Sequence, residues 1–300
     1  MEPIPLTGKV TVLHGAVNSG LVRTGDGLVL IDTGLDRSAA NKILRVAEAM
    51  GEPVRVVLNT HAHADHFGGN AQVLRRTGAR VCAPAGEAEV IRHPLYEPVY
   101  LFGGAAPIAA LQNRFLLAEP SPVHQELEPG QALELGDVTV EVVDLAGHSL
   151  AQVGFCVDGV FFAADSFMGL EPLAKHPIPY LVDAGRMLAS LDRVRRVDAR
   201  WFVPGHGPAV PAGPELQAVL EANAAAVRRL LDWAAARLRQ GPAGTEDLLA
   251  ELALHLGVAM DNPAAYVLNR AALLGVLATL EREGTARVEV REGRWWWAAS

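Results

Sequence analysis

Apolar and polar residues alternate along the first thirty positions, with glycines between the runs. Lys9–His14, Gly20–Thr24 and Gly27–Asp32 therefore predict short strands in an antiparallel set. The period then lengthens. Asp36–Met50 gathers Ile43, Leu44, Val46 and Ala47 on one helical face and puts Asp36 at the N-cap. Val54–Asn59 predicts a buried strand, Gly69–Thr77 a helix and Arg80–Ala83 a further strand. Strands alternating with helices indicate a layered α/β architecture.

Residues 93–130 interrupt this rhythm with Pro94, Pro98, Pro107, Pro120, Pro122 and Pro129 and an apolar tract, Phe102–Leu117. The segment reads as an insertion or lid over one end of the sheet. Strands resume at Val138–Val143, Gln152–Val157 and Val160–Ala164, and a helix over Asp183–Val197 and a strand at Trp201–Val203 close the layer. Glu215–Gln240 predicts a long helix stopped by Gly241-Pro242. Beyond it come a helix capped by Thr245 and ending near His255, one or two helices in Pro263–Glu283, and a hairpin of Arg287–Arg291 with Arg294–Ala298. Helices followed by a hairpin suggest a winged-helix-like unit. The expected division is a main domain over 1–212, a connecting helix over 213–241 and the small unit over 242–300.

Composition narrows the class. In 300 residues, 50% hydrophobic and 20% charged, there is enough apolar material for a sizeable core. The net charge of −8 repels nucleic acid at long range. Residues 242–300 hold five arginines, no lysine and eight acidic residues, net −3, so the small unit lacks the positive footprint of a DNA reader. Trp295, Trp296 and Trp297 are expected to dock on the main domain or a partner. The longest uncharged run, Pro98–Asn113, is short for a bilayer span, and the start MEPIPLTGKV has no basic segment followed by an apolar one. A soluble cytoplasmic protein without membrane contact is the expectation. Cys82 and Cys156 form neither a disulfide framework nor a thiolate cluster.

The chemistry concentrates in Thr60-His61-Ala62-His63-Ala64-Asp65-His66, at the end of the strand Val54–Asn59. In an extended loop alternate residues point the same way, so His61, His63 and Asp65 can converge, with His66 one step on. Imidazoles and a carboxylate suit a borderline cation such as zinc. Burying that many polar groups at a strand end is costly unless they are paired or metallated.

His61-Ala62-His63-Ala64-Asp65-His66 resembles the H-x-H-x-D-H signature of the metallo-β-lactamase-fold hydrolases. The resemblance runs on in order through Leu30-Ile31-Asp32-Thr33-Gly34, Ala146-Gly147-His148-Ser149, Ala164-Asp165-Ser166 and Pro204-Gly205-His206-Gly207, over residues 9–210. It implies an αββα sandwich, here with the winged-helix-like appendage, and a centre of two divalent cations. Zinc is the expectation, and iron or manganese suits the same donors. His61, His63 and His148 would hold one ion, Asp65, His66 and His206 the other, and Asp165 would bridge them. Two cations about 3.5–4 Å apart can share one hydroxide and clamp a developing oxyanion. Asp65 would orient that hydroxide and pass a proton to the leaving group. Asp32 is expected either to fix a ligand imidazole or to stabilise its own turn with Gly34.

The founding β-lactamases of the family generally lack the bridging aspartate and often use a cysteine ligand. Here Asp165 is present and neither cysteine falls at a motif position. The pattern looks more like the thioesterase and glyoxalase II-like branches, with lactonases and RNA or DNA phosphodiesterases as alternatives on the same metals. The expected substrate is a small molecule, an acyl-CoA or acyl-glutathione thioester, with the apolar tract of 93–130 either facing an acyl chain or making a homo-oligomer contact. Lys175, His176 and Tyr180 follow Asp165 in a loop expected to border the site, so they are candidate substrate contacts. Gly147-His148-Ser149 approaches a serine nucleophile elbow but lacks its last glycine and its helix. Ser149 is expected to support the His148 loop instead.

Overall fold

The computed structural model describes residues 1–300. The first sheet holds seven strands in chain order: β1 (Glu2–Pro5), β2 (Val10–His14), β3 (Ser19–Thr24), β4 (Gly27–Ile31), β5 (Val54–Leu58), β6 (Arg80–Pro84) and β7 (Gln125–Leu127). β1 to β4 pair antiparallel, and β4 to β7 pair parallel. Helices α1 (Arg37–Met50), α2 (Ala64–Phe67), α3 (Asn70–Thr77), α4 (Ala85–Arg92) and α5 (Tyr96–Leu101) lie in the connections of the parallel half. Asp36 caps α1 as expected, its carboxylate accepting from the backbone N–H of Ser38 and Ala39.

The second sheet runs β13-β12-β11-β10-β9-β8, from β8 (Ala132–Leu135), β9 (Val138–Asp144), β10 (Val153–Val157), β11 (Val160–Ala164), β12 (Trp201–Pro204) and β13 (Val210–Pro211). Helices α6 (Leu170–Lys175), α7 (Ala184–Val194) and α8 (Pro214–Leu238) follow its strands. Strand alternation assigns the layers. Val29 and Ile31 of β4 meet Val160 and Phe162 of β11 between the sheets, while Leu28 and Leu30 face α1. Phe161 and Ala163 turn outward to Leu191 of α7 and Leu220 of α8. A strand buried on both faces reads as a continuous apolar run, as GLVLI and VFFAA do. The result is the expected αββα sandwich with a helical C-terminal region.

The remaining elements are β14 (Ala243–Gly244), α9 (Thr245–Leu256), α10 (Pro263–Arg282), β15 (Ala286–Arg291) and β16 (Arg294–Ala299), with the strands ordered β14-β16-β15. One helix therefore fills Pro263–Arg282. It is long and apolar enough to cross a bilayer by length and composition, but Ala272, Leu273, Val276 and Leu277 are buried in a core shared with α8 and α9.

Several expectations need correction. The tail of 93–130 is no insertion, because Gln125–Leu127 completes the first sheet beside β6. The rest of that segment packs Leu101, Leu111 and Leu116 on Val267 of α10. β1 and β8 were not expected; Pro3 and Pro5 mask the first, an edge strand where proline is tolerated. Gly244, not Thr245, occupies the cap of α9, and the buried Thr245 hydroxyl accepts the indole N–H of Trp297 at 3.0 Å. Trp297 thus lies in the core that joins its unit to Leu181 and Met187, while Trp295 stays exposed.

Candidate metal centre

The donors lie where strands end. Asp32 follows β4, His61 to His66 follow β5, His148 joins β9 to β10, Asp165 follows β11 and His206 follows β12. Open α/β sheets place their ligands at the carboxyl ends of parallel strands, and this site fits that rule. Asp65 is not in an extended loop. His63 is the last extended residue, and the chain then coils into α2, turning Asp65 and His66 away from the line of His61 and His63.

Two donor groups result. His61 Nε2 lies 3.0 Å and His148 Nε2 2.9 Å from His63 Nδ1. In the second group His206 Nε2 is 3.4 Å from Asp65 Oδ2, beside His66. Asp165 stands between them: its Oδ2 is 3.4 Å from both His148 Nε2 and His206 Nε2, and its Oδ1 is 3.4 Å from His66 Nε2. Donors around a tetrahedral zinc at about 2.0–2.1 Å stand roughly 3.3 Å apart, so these spacings suit a cation at the centre of each group. His66 Nε2 and Asp165 Oδ1 are buried without a hydrogen-bond partner. Buried polar atoms left this way call for an ion, and the donors present fit divalent metal.

Tautomers follow from the groups behind the rings. Asp32 accepts from the backbone N–H and the hydroxyl of Thr60 at 2.9 and 2.8 Å, and from His66 Nδ1 at 2.8 Å. His61 Nδ1 donates to that same Thr60 hydroxyl at 3.0 Å. One carboxylate thereby orients two imidazoles and leaves both Nε2 lone pairs facing inward. His148 Nδ1 donates to the Tyr180 carbonyl at 3.1 Å and His206 Nδ1 to the Ala16 carbonyl at 2.8 Å. The His206 loop is held further by Asn18, whose amide donates to the carbonyls of Pro204 and Gly207.

The electrostatics divide the same way. Burial and neighbouring imidazoles hold His61 far below its ordinary value, and burial takes His63 to about 3 and lowers His148. Burial also opposes charge on His66, but Asp165, Asp32 and Asp65 outweigh it and raise the ring well above the usual range. Asp165 lifts His206 to about 10. Against the opposing effect of burial, His66 and His206 take Asp65 to about 2, and His206, His66 and His148 hold Asp165 well below the carboxylate range. Without metal the first group is neutral, and the second holds protons where a cation fits.

Two supporting residues were not singled out from the sequence. Glu87 of α4 is buried, and it accepts from Ala62 N at 3.2 Å, Ser149 Oγ at 2.7 Å and Ala151 N at 2.9 Å. It ties the His61–His66 loop to the His148 loop, and Ser149 supports the latter through it. Glu87→Ala strands those donors, each worth about 1–3 kcal/mol when buried unpaired, so the expected loss is about 3 kcal/mol. Glu87→Gln keeps an acceptor and should lose less. Urea unfolding of the two variants distinguishes them, and equal stabilities would reject the bridging role. Gly205 is the second. A Cβ there would lie 1.8 Å from Asp165 Oδ1 and 3.0 Å from His66 Cε1. Gly205→Ala must displace the shared carboxylate and is expected to weaken metal affinity about 10- to 100-fold, read by competition with a chromogenic chelator.

A cavity of about 790 Å³ opens over the donors. Lys175, His176 and Tyr180 all line it, together with Phe115, Ile178 and Leu268. Lys175 is exposed and paired with Glu171 at 2.7 Å, His176 is exposed, and the Tyr180 ring stands edge-on to His63 and His148 at 5.3 and 5.4 Å. Glu97 of α5 also faces this space, buried. His14, at the end of β2, lines it as well.

Comparison with known proteins agrees with this geometry. Residues 13–206 match the family model of the metallo-beta-lactamase superfamily. A hydroxyacylglutathione hydrolase of Methylococcus capsulatus is 25% identical over 221 residues, covering 72% of this chain and 73% of its own length. The enzyme of that name from Erythrobacter litoralis is 25% identical over 236 residues, covering 77% and 79%. Two solved structures share the fold. A beta-lactamase domain protein from Burkholderia ambifaria superposes with a TM-score of 0.73 at 18% identity, over 100% of this chain and 94% of its own. A metallo-beta-lactamase family protein from Thermus thermophilus gives 0.71 at 23% identity, over 99% and 97%. With the family match spanning well over half its length and the histidine–aspartate cluster at its strand ends, the chain belongs to the metallo-beta-lactamase superfamily and is a hydrolase.

Proposed function

We propose that this protein hydrolyses thioesters at a centre of two divalent cations, with zinc as the first choice. The observation that carries the reading is the pair of donor groups sharing Asp165. His61, His63 and His148 would hold one ion and Asp65, His66 and His206 the other, with Asp165 between them. When bound, such ions supply Lewis acidity and a nucleophile at neutral pH.

The chain's own groups do the rest. Asp32, the Tyr180 carbonyl and the Ala16 carbonyl hold the imidazoles in register. Asp65 is ionised and partly open to the cavity, so its Oδ atoms can take a proton from the attacking water and return it to the departing sulfur. The products are a carboxylate and a thiol. Phe115, Leu116, Ile178 and Leu268 give the cavity an apolar wall suited to an acyl chain, and Tyr180, His176 and Lys175 are the proposed polar contacts. The enzymes named above as hydroxyacylglutathione hydrolases act on such a bond, which supports the reading.

A phosphodiester substrate is disfavoured by the wall. No arginine lines the cavity, and its one lysine is already paired with Glu171. The test is thiol release from acyl-CoA and acyl-glutathione panels by protein of measured metal content. Chelator-sensitive release is expected. Metal-replete protein that leaves every thioester intact but opens lactones or cleaves single-stranded RNA would replace the reading.

A further inference from the structure

One group in the cavity is left over by this chemistry. Glu97 is only 4% exposed, yet its carboxyl has no hydrogen-bond or cationic partner. The charges that bear on it are those of Asp65 and Glu87, both negative. It lines the same cavity as His63, Asp65 and His148. A buried carboxyl in that state holds its proton until a cation from outside the chain pairs with it.

We propose that Glu97 anchors a positively charged amine, so that the cavity selects thioesters whose thiol half bears an ammonium group. This deepens the hydrolytic reading of the site and rests on it. Three observations converge. First, Asp65 makes this part of the wall anionic, Glu97 adds a carboxyl that can ionise against an incoming cation, and nothing but Lys175, held by Glu171, offers a side-chain counter-charge outside the histidines of the wall. An anionic tail directed there meets repulsion, and a cationic one meets a ready partner. Second, Tyr180 lines the same cavity, its ring edge-on to His63 and His148. Aromatic faces beside a carboxylate suit an ammonium ion, which gains from ring and charge together. Third, Glu97 is placed by α5, whose Leu101 packs with Leu111, Leu116 and Val267, so the carboxyl sits on a fixed element.

The geometry also defines the polarity of the substrate. Its carbonyl end would lie at the histidine cluster and its amine at the α5 wall, giving a dipolar fit that a neutral thiol half lacks. Burial and the two anions push the Glu97 carboxyl well above its usual range, and an ammonium partner offsets that directly.

The test separates this proposal from the thioesterase reading by measuring binding of thiols, the product half of the reaction. Metal-loaded protein is titrated calorimetrically with 2-(dimethylamino)ethanethiol, its carbon isostere 3-methylbutane-1-thiol and the anionic 3-mercaptopropionate. The amine and its isostere are also tried with a three-carbon spacer. The amine is expected to bind about 10- to 100-fold more tightly than the isostere, and the carboxylate most weakly, as for a hydrogen bond to a charged group. Glu97→Gln, which keeps size and removes charge, is expected to erase the preference while leaving isostere binding unchanged. Equal affinities in the wild-type protein, no measurable amine binding, or a preference that survives in Glu97→Gln would overturn the proposal. The acetyl thioesters of the same thiols report on the other reading. Amine-selective binding without hydrolysis of any of them removes the thioesterase function and keeps the anchor. Hydrolysis with equal thiol affinities does the reverse.

Discussion

Asp65→Ala should lower thioester turnover by about 10³-fold or more and leave the fold standing. The side chain is 31% exposed in the first turn of α2 and fills no core volume, so little stability depends on it. Its chemistry is another matter. The flanking imidazoles keep it ionised, its Oδ2 lies 3.4 Å from His206 Nε2, and it faces the cavity. Deleting it removes one donor of the second group and the carboxylate proposed to move a proton between water and leaving group, an effect worth about 10²–10⁴ by itself. Asp65→Asn separates the two roles, because it keeps a weak oxygen donor and loses the base. The checks are kcat and KM from thiol release, metal content per chain, and Tm. Turnover within tenfold of wild type would reject the assignment.

Metal removal should have the larger effect on the whole molecule. Turnover is expected to vanish on dialysis against a chelator, with Tm falling by about 10 °C. A ligand present at 1,000 times its dissociation constant adds about 4 kcal/mol, and about 2–4 °C accompanies each kcal/mol in a domain of this class. The physical reason is the pair His66 Nε2 and Asp165 Oδ1, buried 3.4 Å apart with no hydrogen bond made by either atom. The sign of the pH dependence follows from the imidazoles. In metal-free protein His206, raised to about 10, and His66, raised well above its usual value, both hold protons at neutral pH. Metal must expel them, so reloading releases about two protons and affinity rises with pH through the neutral range. Titration in buffers of different ionisation enthalpy counts the protons. Reloading without proton release would show that the carboxylates do not hold these rings as described.

What the amino-acid sequence disclosed was set by distance along the chain. His61, His63, Asp65 and His66 fall within six positions at a strand end, so their convergence is legible from local geometry. His148, Asp165 and His206 are single residues on separate loops, visible only through short motifs in a familiar order. Glu87 and Glu97 carried no signal at all. Each looks like an ordinary surface acid on a helix, and its meaning depends on burial against residues far away, such as Ser149, 62 positions from Glu87. The central strands were legible because burial on both faces leaves continuous apolar runs. β1, β7 and β8 were not, being short and either proline-bearing or rich in polar residues. The extended reading of the Asp65 segment failed where α2 begins, since a four-residue helix is too short for a periodic pattern.

The core of the C-terminal region draws in Ile178, Leu181, Ala184 and Met187, residues that flank the Tyr180 carbonyl holding His148. α10 in turn gives the cavity Ala265, Leu268 and Asn269. The donor atoms come from residues 32–206, and one side of the substrate chamber comes from beyond residue 260. Part of the chamber wall is thus written in a stretch of the gene that holds no metal donor. Substitutions on one face of α10 can retune what the enzyme accepts without touching a ligand to metal, and lineages can diversify their substrates while the reaction itself is inherited intact.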